Sequence, residues 1–379
     1  MRHACHAYRI LVLGGYGHFG GRICRALAFG EDATLIVAGR DALKAEQFAR
    51  ALVPSVAAAH ESAALDYTAN DLAARIRALR ADAVIHTGGP FQGQGYHVAR
   101  ACVQAGAHYI DLADGRAFVV GITALDAAAR ERGVLVASGA STLPALSSAV
   151  IDEHLGHFSR LDSVDISIAP GQQTPRGVAT LESVLSYCGK PFEVWEQGRW
   201  QTAHGWQGLH RFRYPDFGAR WLARCDVPDL QLFPQRYAGV QRVRFDAGLE
   251  LTLAQGAFRL LAALVRRGWI DNASRTARFM QTWGRYFDWM GSDTGGMHVG
   301  LSGVDHDARS ARVDWHLVAR RGHGPEIPCL PAIVLARKLA AGTLAARGAM
   351  PCMGLMTLAD FADAVAPANL DISWRTFFS

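Results

Sequence analysis

Long apolar runs are missing from this chain. Half of its 379 residues are hydrophobic and 19% are charged, yet no stretch approaches the roughly 20 apolar residues that a membrane-crossing helix needs. Lysine is scarce beside arginine, and the charges that sum to a net +5 are scattered. A dense basic run of the kind that binds nucleic acid is therefore absent. The seven cysteines (Cys5, Cys24, Cys102, Cys188, Cys225, Cys329, Cys352) are odd in number, far apart and without any Cys-x-x-Cys. That argues against a disulfide framework or a zinc site, and for reduced thiols in a cytoplasmic protein. The N-terminus runs straight into an apolar strand signal, which leaves no room for a signal peptide. There is no Ser-His-Asp grouping and no Walker-type phosphate loop. Length alone suits two domains.

What is present begins at Tyr8. Ile10 to Leu13 form a short apolar run of the kind a buried parallel strand needs. Gly15-x-Gly17-x-x-Gly20 follows, and Phe19, Ile23 and Leu27 then recur at helical spacing. Strand, glycine turn and helix in that order form a dinucleotide-binding fingerprint. The unpaired N–H groups at the start of such a helix, with the positive end of its dipole behind them, face a pyrophosphate. Gly15, Tyr16, Gly17, His18, Phe19 and Gly20 are therefore the expected cofactor loop.

Ala33 to Ala38 read as a second buried strand ending in Gly39-Arg40. An acid here would bind the ribose 2′-hydroxyl of NAD. Gly39 instead leaves space and Arg40 brings a cation, which suits the 2′-phosphate of NADP. Asp41 competes for the role but is better placed to cap the following helix. A third strand is expected near Ser55 to Ala59. Asp66 precedes a Thr68-x-x-Asp71 capping box and is a candidate for the adenine side of the site. Ala83 to Thr87 form a fourth strand running into Gly88-Gly89-Pro90-Phe91. Open α/β sheets bind ligands outside the carboxyl ends of their strands. Gly88 and Gly89 would admit the ribose or nicotinamide there, with Pro90 stiffening the turn, while His86 reads as a packed side chain. Strand signals at Tyr109 to Ala113 and Gly133 to Ser138 complete six, with helices between most of them. This is the rhythm of a doubly wound parallel sheet.

Gly14-Gly-Tyr-Gly-His-Phe-Gly20, Ala38-Gly-Arg40 and Gly88-Gly-Pro-Phe91 resemble the saccharopine dehydrogenase-like family of NADP-binding oxidoreductases. Tyr109-Ile-Asp-Leu-Ala-Asp114 and Ser138-Gly-Ala-Ser-Thr-Leu-Pro144 fit the same pattern. The resemblance is most specific over residues 8 to 150; Gly295-Gly-Met297 and Gly324-Pro-Glu-Ile-Pro328 extend it to a bacterial branch. It implies a Rossmann-type domain over 1–145, an α+β substrate and dimerisation domain over 146–325, and C-terminal helices over 326–379 returning to the first domain. It further implies NADP(H) and hydride transfer to or from an imine or secondary amine. Other members resemble enoyl reductases acting on lipid precursors.

In the second half the period changes. Val164 to Ile168 alternate apolar and polar residues, the mark of a strand with one solvated face. Phe192–Trp195 and Arg199–Thr202 read as a hairpin, and residues 203–239 as an irregular stretch rich in aromatics and arginines. Arg211 or Arg213 could hold a substrate carboxylate there, but surface arginines explain them more simply. Phe258–Val265 and Ala277–Met290 read as apolar, Arg-studded helices. Core and dimer packing is the simpler account of these, against a wall for a greasy substrate or a membrane-surface contact. Asp305-His306-Asp307 reads as solvated turn chemistry in a hairpin, and His3-x-Cys5-His6 likewise carries no metal expectation.

The expected protein is thus an NADP(H)-dependent oxidoreductase, cytoplasmic and homodimeric, with a small-molecule substrate and no nucleic-acid or integral-membrane partner. A cationic iminium would accept hydride directly, whereas a ketone or enone needs a proton donor. Tyr96, Tyr109 and His18 are candidate donors; no catalytic residue is assigned. The reacting carbon is expected between the Gly88–Phe91 loop and the second domain. Reduction of an enoyl C=C bond in a hydrophobic substrate, or NADP binding by a non-catalytic regulator or scaffold, are the alternatives.

Overall fold

The computed structural model describes residues 7–28, 33–52, 60–175 and 177–379. Sixteen strands occur among them. The first six are β1 (Tyr8–Leu13), β2 (Ala33–Gly39), β3 (His60–Ala64), β4 (Ala83–His86), β5 (His108–Asp111) and β6 (Leu135–Ser138). Eight follow: β7 (Arg160–Ala169), β8 (Pro191–Glu196), β9 (Arg199–His204), β10 (His210–Tyr214), β11 (Gly218–Arg224), β12 (Arg242–Leu249), β13 (Gly295–Val304) and β14 (Ser310–Ala319). Two close the chain, β15 (Gly348–Pro351) and β16 (Ile372–Phe378).

The chain divides into two compact units. One carries the described residues up to Ala113 together with Phe118–Leu146 and Glu326–Ala368. Its seven-stranded sheet has the order β15-β6-β5-β4-β1-β2-β3, with every pairing parallel. The apolar runs explain the arrangement: Leu11, Val12, Ile36, Val37, Val84 and Ile85 are buried, as strands covered by helices on both faces must be. Helices Gly20–Leu27, Leu72–Ala78 and His97–Ala105 bring Ile23, Ile76 and Cys102 to that core. The chain reverses its winding between β1 and β4, so the loops after these two strands flank the switch point where such sheets bind ligands.

The second unit, Asp114–Ala117, Ser147–Pro325 and Asn369–Ser379, holds a nine-stranded mixed sheet with the path β10-β11-β12-β7-β13-β14-β16, to which β8 and β9 are added beside β12. Only the β7–β12 pairing is parallel. Val164, Ile166, Val243, Val299, Leu301 and Trp315 alternate onto a buried face. The other face carries Asp165, Arg242, Arg244 and Asp314, all partly exposed.

Several expectations are corrected. The third strand lies at His60–Ala64, and the stretch near Ser55 to Ala59 falls outside the described residues, as do His3, Cys5 and His6. The Thr68-x-x-Asp71 box does not form: Asp71 is itself the N-cap residue and makes no side-chain capping bond. Residues 203–239 are not irregular but contain β10, β11 and the helix Asp229–Arg236. The C-terminal segment is not wholly helical. Gly348–Pro351 joins the first sheet, and Ile372–Phe378 pairs with β14 in the second.

The last helix, Leu358–Val365, does open on a reciprocal capping box between Thr357 and Asp360, and Asp360 also takes Lys338 at 2.8 Å. Thr357→Ala leaves a helical N–H without its side-chain acceptor and should cost about 1 kcal/mol, read as a lower urea midpoint at unchanged slope. An unchanged midpoint would mean that the cap adds nothing here.

Candidate nucleotide-binding site

The loop after β1 is pinned to β2. Gly14 and Gly15 both donate their N–H to the Ala38 carbonyl, at 2.9 and 3.0 Å, and Gly17 N–H closes back on Gly14 O at 2.8 Å. The helix Gly20–Leu27 then starts directly at the turn, with Phe19 as an N-cap residue that makes no side-chain cap. Gly20 has to be glycine, since a Cβ there would lie 2.1 Å from Gly14 O and 2.9 Å from Thr87 Oγ1. Thr87 in turn donates its hydroxyl to Leu13 O at 2.9 Å, so the ends of β1 and β4 are tied to each other. This is the phosphate-facing geometry of a dinucleotide fold: a tight turn, close helix–strand packing and a helix N-terminus left to an external anion.

At the end of β2 the arrangement differs in one respect from expectation. The room over Gly39 is filled by the Tyr16 ring, whose atoms lie 2.3 to 2.6 Å from where a Cβ would stand. The Tyr16 hydroxyl accepts the Asp41 N–H at 3.0 Å. Gly39 thus makes space for a side chain of the glycine loop rather than directly for a ligand. Asp41 caps the helix Ala42–Ala51 by accepting Lys44 N–H at 3.1 Å, which engages the carboxylate that a ribose 2′-hydroxyl would need. Arg40 is exposed, and among the described residues no carboxylate is paired with it. Asp66 lies just past β3, where the Leu65 N–H reaches Gly39 O at 2.8 Å. Its carboxylate accepts the N–H and the hydroxyl of Thr68 at 2.9 and 2.8 Å. These bonds, with a smaller contribution from Arg40, hold its pKa below the ordinary value.

The loop after β4 is the second wall of the switch point. The Gly89–Pro90 bond is cis, and the Gln94 amide donates to Gly88 O at 2.9 Å and to Pro90 O at 2.6 Å. His86 packs under this loop between Tyr67 and Phe91, with ring centroids 5.1 and 5.2 Å away. Burial lowers its pKa to about 3; it is a neutral, packed histidine. At the end of β5, Asp111 Oδ1 accepts Ala113 N–H, Gly139 N–H and the Ser138 hydroxyl at 2.8 to 3.0 Å. One buried oxygen thus ties the loop after β5 to the end of β6.

Of the candidate proton donors, Tyr109 is wholly buried with its hydroxyl 3.1 Å from His86 Nδ1, so it cannot meet a substrate. Tyr96 donates to Phe118 O at 3.0 Å. His18 is only partly buried, but burial and then Arg22 lower its pKa to about 4, so near neutrality it carries no proton to give. Arg211 and Arg213 are exposed on β10, as surface arginines should be. Asp305 accepts Asp307 N–H and Arg309 N–H within its own turn.

Sequence reasoning missed Tyr16 as the cover of Gly39, and the staples Thr87 and Gln94. It also missed Arg22, which pairs with Glu326 at 3.0 Å and so holds the helix Gly20–Leu27 to the returning C-terminal segment. In the second unit His298, Asp314 and His316 bring one ligating atom each within 4.8 Å of the others. The Asp314 carboxylate there already accepts His298 Nε2 at 2.7 Å and both prongs of Arg312 at 2.6 and 2.7 Å. Burial raises the Asp314 pKa, but the bonds from His298 and Arg312 outweigh it and leave it far below the ordinary range. A divalent ion would have to displace those partners.

Residues 10–154 match the family model described as the saccharopine dehydrogenase NADP binding domain. Over these residues the sequence is that of an NADP-binding domain of the saccharopine dehydrogenase type. No curated protein matches the sequence. Among solved structures, the chain is similar to apo saccharopine dehydrogenase (L-Glu forming) from Saccharomyces cerevisiae, at 13% identity and a TM-score of 0.67, covering 98% of this chain and 100% of that one. It is also similar to an amine dehydrogenase from Mycobacterium smegmatis, at 11% identity and a TM-score of 0.44 over 93% and 96% of the two chains. A probable dehydrogenase from Thermotoga maritima matches at 10% identity and a TM-score of 0.45 over 94% and 93%. The first of these extends the likeness of fold to both sheets, and the cofactor of the N-terminal domain is NADP(H).

Two outcomes test this geometry. Gly20→Ala forces a methyl into a backbone carbonyl and should destabilise by about 3 kcal/mol or more, abolishing NADPH binding. Gly95→Ala, where a Cβ meets nothing within 4 Å, should leave both unchanged; equal behaviour of the two variants would remove the packing argument. Burial raises the Asp111 pKa from 3.8 to about 6, against the lowering effect of its hydrogen bonds. The folded state therefore holds this proton more tightly than the unfolded chain does. Its contribution to stability is full below 3.8 and declines as pH rises toward about 6. In Asp111→Asn, unfolding followed across that window should lose this decline; an identical pH slope in the variant would assign it to other groups.

Proposed function

We propose that this protein is an NADP(H)-dependent oxidoreductase that transfers a hydride to or from a C–N bond, interconverting an imine and a secondary amine. The observation that carries the reading is the match of residues 10–154 to an NADP-binding dehydrogenase domain, on a chain whose glycine loop and Arg40 supply a pyrophosphate cradle and a cation. The fold shared with a saccharopine dehydrogenase over 98% of this chain and 100% of that one supports C–N chemistry as the first to examine. Bound NADPH would supply the hydride. The protein's own part is to bind and orient: the turn Gly15 to Gly20 receives the pyrophosphate, Arg40 the 2′-phosphate, and the Gly88–Pro90 loop the nicotinamide half. A protonated imine fits the absence of an available acid among Tyr96, Tyr109 and His18, because its reduction yields a neutral amine without a further proton. The six described cysteines, all buried as free thiols, agree with work in the cytoplasm.

The test is a titration of purified protein with NADPH and NADH, followed by turnover with paired amines and keto acids and, separately, with enoyl compounds. NADPH should bind in preference to NADH. Arg40→Ala should weaken NADPH about 10- to 100-fold, the loss expected for one charge-assisted contact, and leave NADH within about twofold. Equal loss for both would sink the assignment of Arg40. NADPH-linked reduction of enoyl compounds alone would replace C–N chemistry by C=C reduction. Binding without turnover on either panel would leave a non-catalytic NADP-dependent regulator.

A further inference from the structure

Nine of the fifteen large hydrophobic side chains exposed among the described residues fall within residues 252–290. Trp269 and Trp289 are 75% and 79% exposed, and Phe279, Trp283, Tyr286 and Phe287 are exposed beside them in sequence. The sequence pattern alone favours core and dimer packing for these side chains. The structure places them outside, for a local reason. The helix Ala277–Arg285 turns its smaller or more polar residues inward: Ala277 is buried, and Met280, Gln281 and Gly284 are half-buried. Phe279, Trp283 and Tyr286, spaced i, i+4 and i+7, run along its outer side with successive ring centroids 5.8 and 5.9 Å apart. An ordinary surface helix does the reverse. An apolar exposure of this kind marks a contact surface.

The charge of the same segment identifies the contact. Residues 252–290 contain six arginines, two aspartates, and no lysine or glutamate, so they hold four of the chain's five net positive charges. Arg259, Arg266, Arg267, Arg275 and Arg278 are exposed. Among the described residues no carboxylate is paired with them. One of the two acids, Asp288, accepts the Gln172 amide at 3.0 Å.

We infer that residues 252–290 form a peripheral membrane-docking surface that seats on a bilayer of anionic phospholipid. Tryptophan and tyrosine rings partition to the headgroup level, where an apolar body and a polar edge are both satisfied. Arginines around them meet lipid phosphates, and the negative surface potential supplies long-range attraction. A second copy of this chain, the occupant that the sequence pattern suggests, fits less well. A two-fold contact would press the same cationic patch against itself with almost no acid to pair. Single-stranded nucleic acid would use the arginines and rings, but the aromatic row lies on the convex side of a helix rather than in a groove. Leu253, Leu260 and Met290, also exposed, have no stacking role there. No helix among the described residues is long and apolar enough to cross a membrane, so the contact would be with the surface.

The full-length protein should co-sediment with vesicles of equal parts phosphatidylcholine and phosphatidylserine, with a blue shift in tryptophan emission. It should not co-sediment with phosphatidylcholine alone, and added salt should weaken the binding. The paired change Trp283→Ala and Trp289→Ala should abolish the shift. The paired change Arg275→Gln and Arg278→Gln should weaken partition about thirtyfold, two charges at the surface. Both variants should bind NADPH as the parent does, which shows that they are folded. Several results would overturn the inference: no vesicle binding by the folded parent, equal binding to neutral and anionic vesicles, or tighter binding to an oligonucleotide. A self-association that dilution reverses and the tryptophan changes abolish, without vesicle binding, would give the face to a second copy instead.

Discussion

The first unit depends on one close approach. Gly20 lies so near Gly14 that no side chain fits between them, and that contact sets the angle at which the first helix leaves the sheet. The neighbouring turn hangs from a single carbonyl, Ala38 O, which accepts two consecutive N–H groups. Because the same turn touches Thr87, the loops on the two sides of the switch point cannot move independently. Arg22, two residues after Gly20 in the same helix, extends the coupling to Glu326. The geometry of this candidate site is therefore a property of how β1, β2 and β4 end, more than of any one side chain.

Much of this was legible in the residue order because buried parallel strands advertise themselves as apolar runs. Ile10–Leu13, Leu35–Ala38 and Ala83–Ile85 have no competing reading once a glycine turn follows the first. The misses have equally local causes. β3 begins His-Glu-Ser and lies at the sheet edge with little burial, so it has no apolar run to detect. β15 is four residues, Gly-Ala-Met-Pro, too short to show any period. Tyr16 was legible as a loop residue but not as the occupant of the space over Gly39, since that requires knowing how β1 and β2 lie beside each other.

The second unit was harder for a different reason. Its sheet has one apolar face and one face built from ion pairs: Asp165 with Arg242, Asp246 with Arg244, Asp314 with Arg312 and His298. Along one strand, arginine and aspartate alternating with apolar residues look like solvent exposure. Only the register, which sets His298 directly opposite His316, shows that these side chains are neighbours. β10 and β11 were hidden likewise, because Arg211 and Arg213 interrupt the aromatic residues that pack beneath.

The Tyr16–Gly39 contact has a consequence for how the cofactor preference of this fold could change in evolution or by engineering. In many dinucleotide folds the residue ending β2 is a free variable, and exchanging it retunes the choice between the two nicotinamide cofactors. Here a larger residue at position 39 would strike the Tyr16 ring, and moving that ring would release the Asp41 N–H that its hydroxyl accepts. Discrimination and loop architecture are thus inherited as one trait. A lineage drifting toward NADH would have to alter both ends of the contact, with the intermediates paying in stability of the glycine turn.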